Sequence, residues 1–221
     1  MDRRRLFEAL ADEEPAVLLD LLDKAYDEMK IDQRNRVFGK YARSLPPEPV
    51  DGEALLSQIE GFQERSLSGY YYEPFAINSK NWTYVPEETK KWFEEMGDYL
   101  KASRQLTAQG DHVHAVACFG ILYELIEALD SDEEIVFAEE IGSWMIPGDK
   151  KDYVAAYMTS LAETMGPEEF TQAAIPLIRR DSRQSLSARA YKSAIRAANE
   201  EQRERLEAEV QRQEIRTEPW W

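Results

Sequence analysis

The apolar positions of this chain are densest between Asp111 and Leu129, where the sequence reads DHVHAVACFGILYELIEAL. Apolar residues occupy most positions of this stretch, so a helix formed by it would be apolar on nearly every face. β-strands rarely run this long, and the pattern therefore predicts a helix that neighbouring elements enclose on several sides. Glu124 and Glu127 interrupt the apolar run, which favours a buried core helix over a membrane span. We expect this helix to lie at the centre of the fold.

Amphipathic stripes at helical spacing occupy much of the remaining chain. In the N-terminal half they consist of Leu6, Phe7 and Leu10, then Val17, Leu18, Leu21, Leu22, Ala25, Tyr26 and Met29, then Val37, Phe38, Tyr41 and Leu45, then Leu55, Leu56, Ile59 and Phe62. A proline cluster at Pro46, Pro47 and Pro49 ends one stripe, since a helix cannot continue through it. The pattern predicts an all-α fold of about 9 to 10 helices, built as irregular stacked helical hairpins or as an orthogonal bundle.

The C-terminal half begins with a helical pattern from Pro86 to Gln109. Gly110 and Asp111 then fit a glycine helix end followed by an aspartate cap. These two residues predict a very short antiparallel connection into the apolar helix. A further helix is expected over residues 133–144, with its tryptophan facing inward.

The C-terminal end of the chain contains one helix breaker and one capping signal. Pro176 lies inside a helical pattern and is expected to kink it or to end its regular hydrogen bonding. Asn199, with Gln202 three residues later, fits a capping box that starts a last, highly charged helix. Three outcomes stay open for that helix: it frays at its end, it projects from the fold, or it docks on a second copy of the chain. A homodimer surface would also bury the terminal indoles of Trp220 and Trp221, since free tails seldom carry so much apolar area.

An aromatic-rich connecting loop over residues 67–85 separates residues 1–66 from residues 86–221. Gly69 and Pro74 exclude a regular helix in this loop. Two interpretations of its rings stay open: they form a recognition surface for a partner, or they pack back and join the two halves. The sequence thus predicts an N-terminal helical subdomain and a C-terminal repeat-like subdomain, or one continuous domain. The six aromatic residues, which fall within fifteen positions, are Tyr70, Tyr71, Tyr72, Phe75, Trp82 and Tyr84.

Residues 96–129 resemble one repeat of the tetratricopeptide (TPR) family. Gln109, Gly110 and Asp111 stand at the family's turn, and Glu127 stands where its closing proline is expected. No second copy occurs at the family's period of about 34 residues. The resemblance implies a helical hairpin within an irregular TPR- or HEAT-like α-α superhelix, and it implies no peptide-binding residues. The family's small, aliphatic and aromatic positions are filled by Tyr99, Ala102, Ser103, Leu106, Ala115, Val116, Phe119 and Leu122.

The formal net charge of −16 is distributed unevenly along the chain. Residues 111–169 contain 14 acidic and 2 basic side chains, whereas residues 170–221 contain 8 acidic and 10 basic ones. An acidic surface repels phosphate backbones and anionic lipid, and it attracts basic proteins. We therefore expect a protein partner of basic character, and neither nucleic acid nor a membrane.

Cysteine usage and the first residues bear on the cellular compartment. Cys118 is the one cysteine, so no internal disulfide can form and a reducing cytoplasm is expected. The N-terminal residues MDRRRLFEALADEEP contain no apolar stretch of the length that a signal peptide needs. These features predict a cytoplasmic protein.

One cluster contains the residue types of a metal site: Asp111, His112, His114 and Cys118. His114 and Cys118 lie four residues apart and share a helix face, but a structural zinc site needs four spaced ligands. The sequence contains no P-loop, no G-x-S-x-G and no H-E-x-x-H motif. We therefore predict no cofactor and no enzyme activity, and we interpret the cluster as a helix cap with a buried thiol. An enzyme with an unrecognised site around these residues stays an alternative.

These expectations favour a cytoplasmic, non-catalytic adaptor or interaction module that binds a protein through its acidic middle and its aromatic loop. The alternative within the same class is an acidic inhibitor or immunity-like protein that neutralises a basic partner. In both cases the binding surface is expected outside the apolar helix, whose side chains are predicted to be buried.

Overall fold

Ten α-helices and one 3-10 helix form the regular structure of the described residues, and no β-strand occurs among them. The computed structural model describes residues 2–11, 13–42, 48–131, 133–137, 141–184 and 189–217. The predicted all-α fold class is confirmed. The helices are α1 (Arg3–Leu10), α2 (Pro15–Glu28), α3 (Ile31–Ala42), α4 (Gly52–Leu67), α5 (Glu87–Gln109), α6 (His112–Asp130), α7 (Lys150–Thr164), α8 (Pro167–Gln184), α9 (Ala190–Ala197) and α10 (Glu200–Arg212).

The chain divides into two compact units, Met1–Glu48 and Pro49–Trp221. The boundary lies before α4, whereas the sequence pattern placed it after residue 66. The difference arises because α4 packs its apolar stripe against α5 and α6, and Ile59 and Phe62 are fully buried. This helix therefore contributes to the core of the second unit.

Three amphipathic helices form the first unit. Asp2 caps α1 by accepting a hydrogen bond from the backbone N–H of Arg4 at 2.9 Å. The second and third helices touch near the turn that joins them, where the ring centroids of Tyr26 and Phe38 lie 5.5 Å apart. Arg34 lies over the Tyr26 ring and donates to the Tyr26 carbonyl oxygen at 2.8 Å. None of the described side chains of this unit is buried.

The apolar helix α6 lies at the centre of the second unit, where it contacts α4, α5 and α7. Gly110 ends α5 with a φ of 83°, and Asp111 caps α6 by accepting from the N–H of His114 at 3.4 Å. Both predicted signals are confirmed. Among the described residues, α6 is the one helix that is long and apolar enough to cross a membrane, and its contacts with three helices place it in the core. Its buried side chains are Ala115, Cys118, Phe119, Leu122, Leu125, Ile126 and Leu129.

The last four helices pack in pairs, with α7 against α9 and α8 against α10. The predicted capping box is present, because Asn199 and Gln202 each accept a hydrogen bond from the other's backbone N–H at 2.9 Å. The amide nitrogen of Gln202 also donates to the carbonyl oxygens of Ala162 and Met165 at 2.9 and 2.8 Å. The start of α10 is thus tied to the end of α7.

Two other expectations for the C-terminal end have different outcomes. Helix α8 continues through Pro176, although a proline cannot donate a backbone hydrogen bond within a helix. Trp220 and Trp221 lie outside the described residues, as does Leu45. A homodimer surface at the terminal indoles therefore stays a prediction.

The prediction of a helix over residues 133–144 is wrong for the described part of that segment. Residues 133–137 form turns and bends, and the nearest regular structure is the 3-10 helix Ser143–Met145. Trp144, which was expected to face inward, is 60% exposed. The regularly spaced apolar residues of this segment thus lie in turns and bends and do not form one face of a helix.

Hydrogen bonds from neighbouring helices explain this difference. The hydroxyl of Thr89 donates to the carbonyl oxygen of Phe137 at 3.1 Å and accepts from the Phe137 N–H at 3.3 Å. A carboxylate oxygen of Asp130 accepts from the N–H of Ser143 at 3.2 Å. Side chains of α5 and α6 thus satisfy backbone groups that a helix would have paired internally.

Tyr157→Phe is expected to weaken the alkaline destabilisation of the protein. Tyr157 is buried and stacks against the rings of Phe119 and Tyr123, with centroids 5.2 and 5.4 Å away. Burial, helped by the Glu124 carboxylate, raises the pKa of Tyr157 from 10.0 to about 12. Because the folded protein holds this proton more tightly than the unfolded chain, the resulting stability is present below pH 10 and is lost as the pH rises to about 12.

Urea unfolding at a series of pH values measures this effect. As the pH rises from 10 to about 12, the wild type is expected to lose about 2 to 3 kcal/mol of unfolding free energy that the Tyr157→Phe variant does not lose. Tyr70→Phe changes an exposed ring and is the matched control. Equal alkaline losses in the wild type and Tyr157→Phe would contradict the prediction.

Candidate interaction surface

The aromatic-rich segment begins where α4 ends. Gly69 has a left-handed φ of 78°, and the N–H groups of Gly69 and Tyr70 donate to the carbonyl oxygens of Ser66 and Arg65 at 3.3 and 3.1 Å. This Schellman-type helix end reverses the chain within two residues. As a result, Tyr70 is exposed while Tyr71 is fully buried.

Tyr71 joins the segment to α4 and α5. Its ring meets the Phe62 ring edge-on, with centroids 5.7 Å apart. The Tyr71 hydroxyl donates to Glu95 at 2.9 Å and accepts from Arg65 Nε at 3.1 Å, while Arg65 also bonds Glu95 at 2.7 Å. Burial raises the pKa of Tyr71 to about 12, so the hydroxyl stays protonated and donates at neutral pH. At this residue the ring serves packing.

A second group of rings packs around Phe137, in the turn that follows α6. Tyr72 and Phe75 each meet the Phe137 ring edge-on, with centroids 5.6 and 5.3 Å away. Phe75 also meets Tyr84 edge-on at 5.3 Å. Edge-to-face pairs of this kind are favourable beyond the area that they bury. Tyr72 and Phe75 therefore hold the segment against the turn that follows α6.

Two asparagine side chains fix the part of the segment that carries Trp82. The side-chain oxygen of Asn78 accepts from the N–H of Lys80 at 2.9 Å, and that of Asn81 accepts from the N–H of Asn78 at 2.7 Å. The amide nitrogen of Asn81 donates to the Ala76 carbonyl oxygen at 2.9 Å. The N–H of Tyr84 donates to the carbonyl oxygen of Asn81 at 2.9 Å. The sequence interpretation missed both asparagines, although side chains of this type commonly close turns in loops.

Three rings of the segment remain at the surface, and we call Tyr70, Trp82 and Tyr84 the exposed rings. They are 61%, 48% and 49% exposed. Lys90 and Lys91 each form a hydrogen bond to the glutamate three residues earlier, and this bond is the main reason that the pKa of each lysine is raised. A weaker contribution comes from Tyr84 at Lys90 and from Tyr70 at Lys91. Two of the exposed rings thus lie beside the start of α5. The other three predicted binding residues face inward, namely Tyr71, Tyr72 and Phe75.

The cluster of Asp111 with two histidines forms the start of α6. His114 Nδ1 lies 2.9 Å from both carboxylate oxygens of Asp111, and His112 Nδ1 lies 3.1 Å from the hydroxyl of Ser160. Gly52, at the start of α4, approaches so closely that a Cβ there would lie 2.6 Å from the His114 ring. The two histidines thus bond different partners, and the geometry is that of a capped and tightly packed helix start.

Cys118, the other weak candidate for a metal ligand, is fully buried in α6. Burial raises the pKa of its thiol to about 11, so the thiol stays protonated and is a poor metal ligand or nucleophile near neutral pH. Across the described ranges, no group of three or more His, Cys, Asp or Glu side chains is arranged to hold a metal ion. The structure gives His114 a capping partner and places Cys118 in the core.

A small cleft between α6, α7 and α8 contains charged groups that the sequence pattern did not single out. Arg180 bonds Asp130 and also donates to the carbonyl oxygen of Ile126 at 3.4 Å. Tyr123 and Lys150 are among the other polar residues that line the cleft, and desolvation lowers the pKa of Lys150. The cleft encloses about 50 Å³, which holds a few water molecules and is too small for a drug-sized ligand. The ion pair links α8 to the last residue of α6.

The TPR-like residues 96–129 correspond in the structure to the last part of α5 and nearly all of α6, joined at Gly110. One hairpin does not define a repeat array, so the superhelical arrangement stays a prediction. No protein-family model, curated protein or solved structure matches the chain.

Proposed function

We propose that this chain is a non-catalytic module that binds a protein partner through the exposed rings Tyr70, Trp82 and Tyr84. The observation that supports this proposal is a contrast within one segment, where Tyr71 is fully buried and its neighbour Tyr70 is mostly exposed. A segment that only joined two helices would gain stability by burying every large ring. This one holds three rings outward on a backbone fixed at Tyr71 and Asn81.

Tyrosine and tryptophan rings suit protein recognition for physical reasons. They bury a large area with few rotatable bonds, and each retains a polar atom that can form a hydrogen bond. Hydrogen bonds at Asn78 and Asn81 already order the loop in the free protein. Binding therefore costs less conformational entropy than binding through a disordered loop.

The acidic stretch of residues 111–169 favours a basic partner. Its field speeds association with a basic protein and repels nucleic acid and anionic lipid. An acidic inhibitor of a basic partner is the second candidate function, and a cytoplasmic location fits both. Among the described residues between 111 and 169, the exposed acidic side chains are Glu124, Glu127, Glu133, Glu134, Asp149, Asp152, Glu163, Glu168 and Glu169.

Affinity capture from cells of the source organism tests the exposed rings. The full chain is expected to retain a stoichiometric protein, and Tyr70→Ser/Trp82→Ser/Tyr84→Ser is expected to reduce its recovery by at least about tenfold. The reason is that aromatic residues contribute much of the binding energy at protein interfaces. Circular dichroism of the triple variant should match that of the wild type, since all three rings are exposed.

A matched control and a change of salt separate the two candidate functions. Val113→Ser/Trp144→Ser alters two exposed apolar residues outside the segment and is expected to retain the partner. A partner that the triple variant retains but high salt releases would favour the acidic inhibitor, because surface charges are screened by salt. Capture of no partner at either salt concentration would overturn both candidates.

A further inference from the structure

The packing of α8 against α10 leaves a groove in the second unit, which we call the α8–α10 groove. It has a volume of about 470 Å³, whereas the cleft beside Arg180 has about 50 Å³. Pockets that hold ligands commonly have about 300 to 1,000 Å³. The groove is therefore large enough to hold aromatic side chains. The residues that line it include Glu168, Gln172, Ile175, Pro176, Arg205 and Arg212.

The charged groups of the groove are already paired. Arg205 of α10 bonds Glu168 of α8, and Arg212 bonds Glu209 within α10. Among the described residues that line the groove, two acids and two bases give no net charge. The groove therefore favours an occupant that binds through apolar area and single hydrogen bonds over one that is strongly charged.

Pro176 leaves a carbonyl oxygen of α8 without its usual donor. In a regular helix the carbonyl oxygen of Gln172 would accept from the N–H of residue 176, but a proline has no N–H to donate. Both residues line the groove. The side chains of Arg205 and Arg212 are 51% and 70% exposed, and a guanidinium group stacks well on an aromatic face. An indole, which combines an aromatic face with an N–H donor, matches both features.

The chain turns back where α10 ends. Glu214 has a left-handed φ of 51°, and the N–H of Ile215 donates to the carbonyl oxygen of Val210 at 3.0 Å. These are the features of a Schellman-type helix end, and Ile215 is half-buried against the core. Gln213, one residue before Glu214, lines the groove. The chain thus leaves the axis of α10 beside one end of the groove.

The remaining segment is long enough to lie along the groove. Residues 218–221, with the sequence EPWW, follow the last described residue, Thr217. Four extended residues span about 13 Å. On α10 the lining residues run from Arg205 to Arg212, which is about 10 Å of helix.

We propose that the indoles of Trp220 and Trp221 dock in the α8–α10 groove of their own chain. A segment tethered this close to its site has an effective concentration on the order of millimolar, so a weak affinity is enough to keep it bound. This site is separate from the exposed rings Tyr70, Trp82 and Tyr84, and it does not depend on the function proposed for them.

Exchange of the indole N–H groups with water, followed by NMR on the full chain, tests the proposal. Trp220→Phe and Trp221→Phe assign the two signals. At least one of the two N–H groups is expected to exchange about tenfold or more slowly than in a free peptide of sequence EPWW, because docking shields it from water. The rate is expected to be independent of protein concentration, since the contact is intramolecular. Free-peptide rates for both indoles would overturn the proposal.

Matched variants locate the docking site. Gln172→Phe fills the groove with a ring and is expected to return the protected indole to the rate of the free peptide. Gln211→Phe makes the same change at an exposed glutamine of α10 outside the groove, and it is expected to leave the protection unchanged. Both glutamines are exposed, so circular dichroism of the two variants should match that of the wild type.

Two further results would contradict docking in the chain's own groove. Protection that persists in Gln172→Phe would place the indoles elsewhere. Protection that appears only at concentrations where sedimentation equilibrium gives twice the chain mass of 25.6 kDa would assign the groove to the indoles of a second copy.

Discussion

Replacing Arg180 by methionine is expected to lower the free energy of unfolding by about 3 to 5 kcal/mol, because it leaves a buried carboxylate without its cation. Arg180 and Asp130 form an ion pair whose side chains are only 11% and 10% exposed. In the variant, the N–H of Ser143 at 3.2 Å remains a hydrogen-bond donor to Asp130, but it carries no charge. Urea unfolding followed by circular dichroism measures the loss.

Two further variants show whether burial of the ion pair is the cause. Arg180→Met/Asp130→Asn removes both charges and keeps a side-chain oxygen that accepts from the Ser143 N–H, so it is expected to recover most of the lost stability. Arg205→Met breaks an ion pair with Glu168 whose side chains are 51% and 60% exposed, and it is expected to cost below about 1 kcal/mol. Equal losses from Arg180→Met and Arg205→Met would contradict this explanation.

Features of the fold that depend on nearby residues could be predicted from the sequence. The end of α5 at Gly110, the cap of α6 at Asp111 and the capping box of Asn199 with Gln202 are each decided within a few positions. The apolar run of α6 likewise needed no knowledge of its neighbours. Local chemistry therefore predicted the all-α class and the central helix.

Features that depend on distant residues could not be predicted in the same way. Thr89 bonds the backbone of Phe137 across 48 positions, and Arg180 bonds Asp130 across 50 positions. The first contact helps to hold the segment after α6 in a turn, although its apolar spacing matches a helix. Spacing within a segment contains no information about a side chain that arrives from another helix.

The candidate surface could be predicted only in part from the sequence. The sequence located six aromatic residues in one loop, but their spacing did not indicate which rings face outward. That division depends on the left-handed turn at Gly69 and on Glu95, which lies 24 positions after Tyr71 in the sequence. The neighbours Tyr70 and Tyr71 therefore have different environments, and their variants should differ accordingly.

Tyr71→Ala is expected to lower the free energy of unfolding by about 3 to 5 kcal/mol, because it removes a fully buried ring from the core. The variant also removes the hydroxyl that bonds both Arg65 and Glu95. Tyr71→Phe keeps the ring and is expected to cost about 1 to 3 kcal/mol, the typical effect of leaving polar partners without their hydrogen bond. Urea unfolding of the two variants separates the contribution of the ring from that of the hydroxyl.

Tyr70→Ala is the matched control, since it changes the same residue type one position earlier. Its ring is 61% exposed and meets the Tyr71 ring edge-on, with centroids 4.9 Å apart, so the expected loss of unfolding free energy is about 0.5 to 1 kcal/mol, well below that of Tyr71→Ala. If the proposed function is right, Tyr70→Ala also weakens capture of the partner while the fold stays intact. A loss of stability as large as that of Tyr71→Ala would instead show that Tyr70 serves packing. That result would remove Tyr70 from the proposed surface and leave Trp82 and Tyr84 as its candidates.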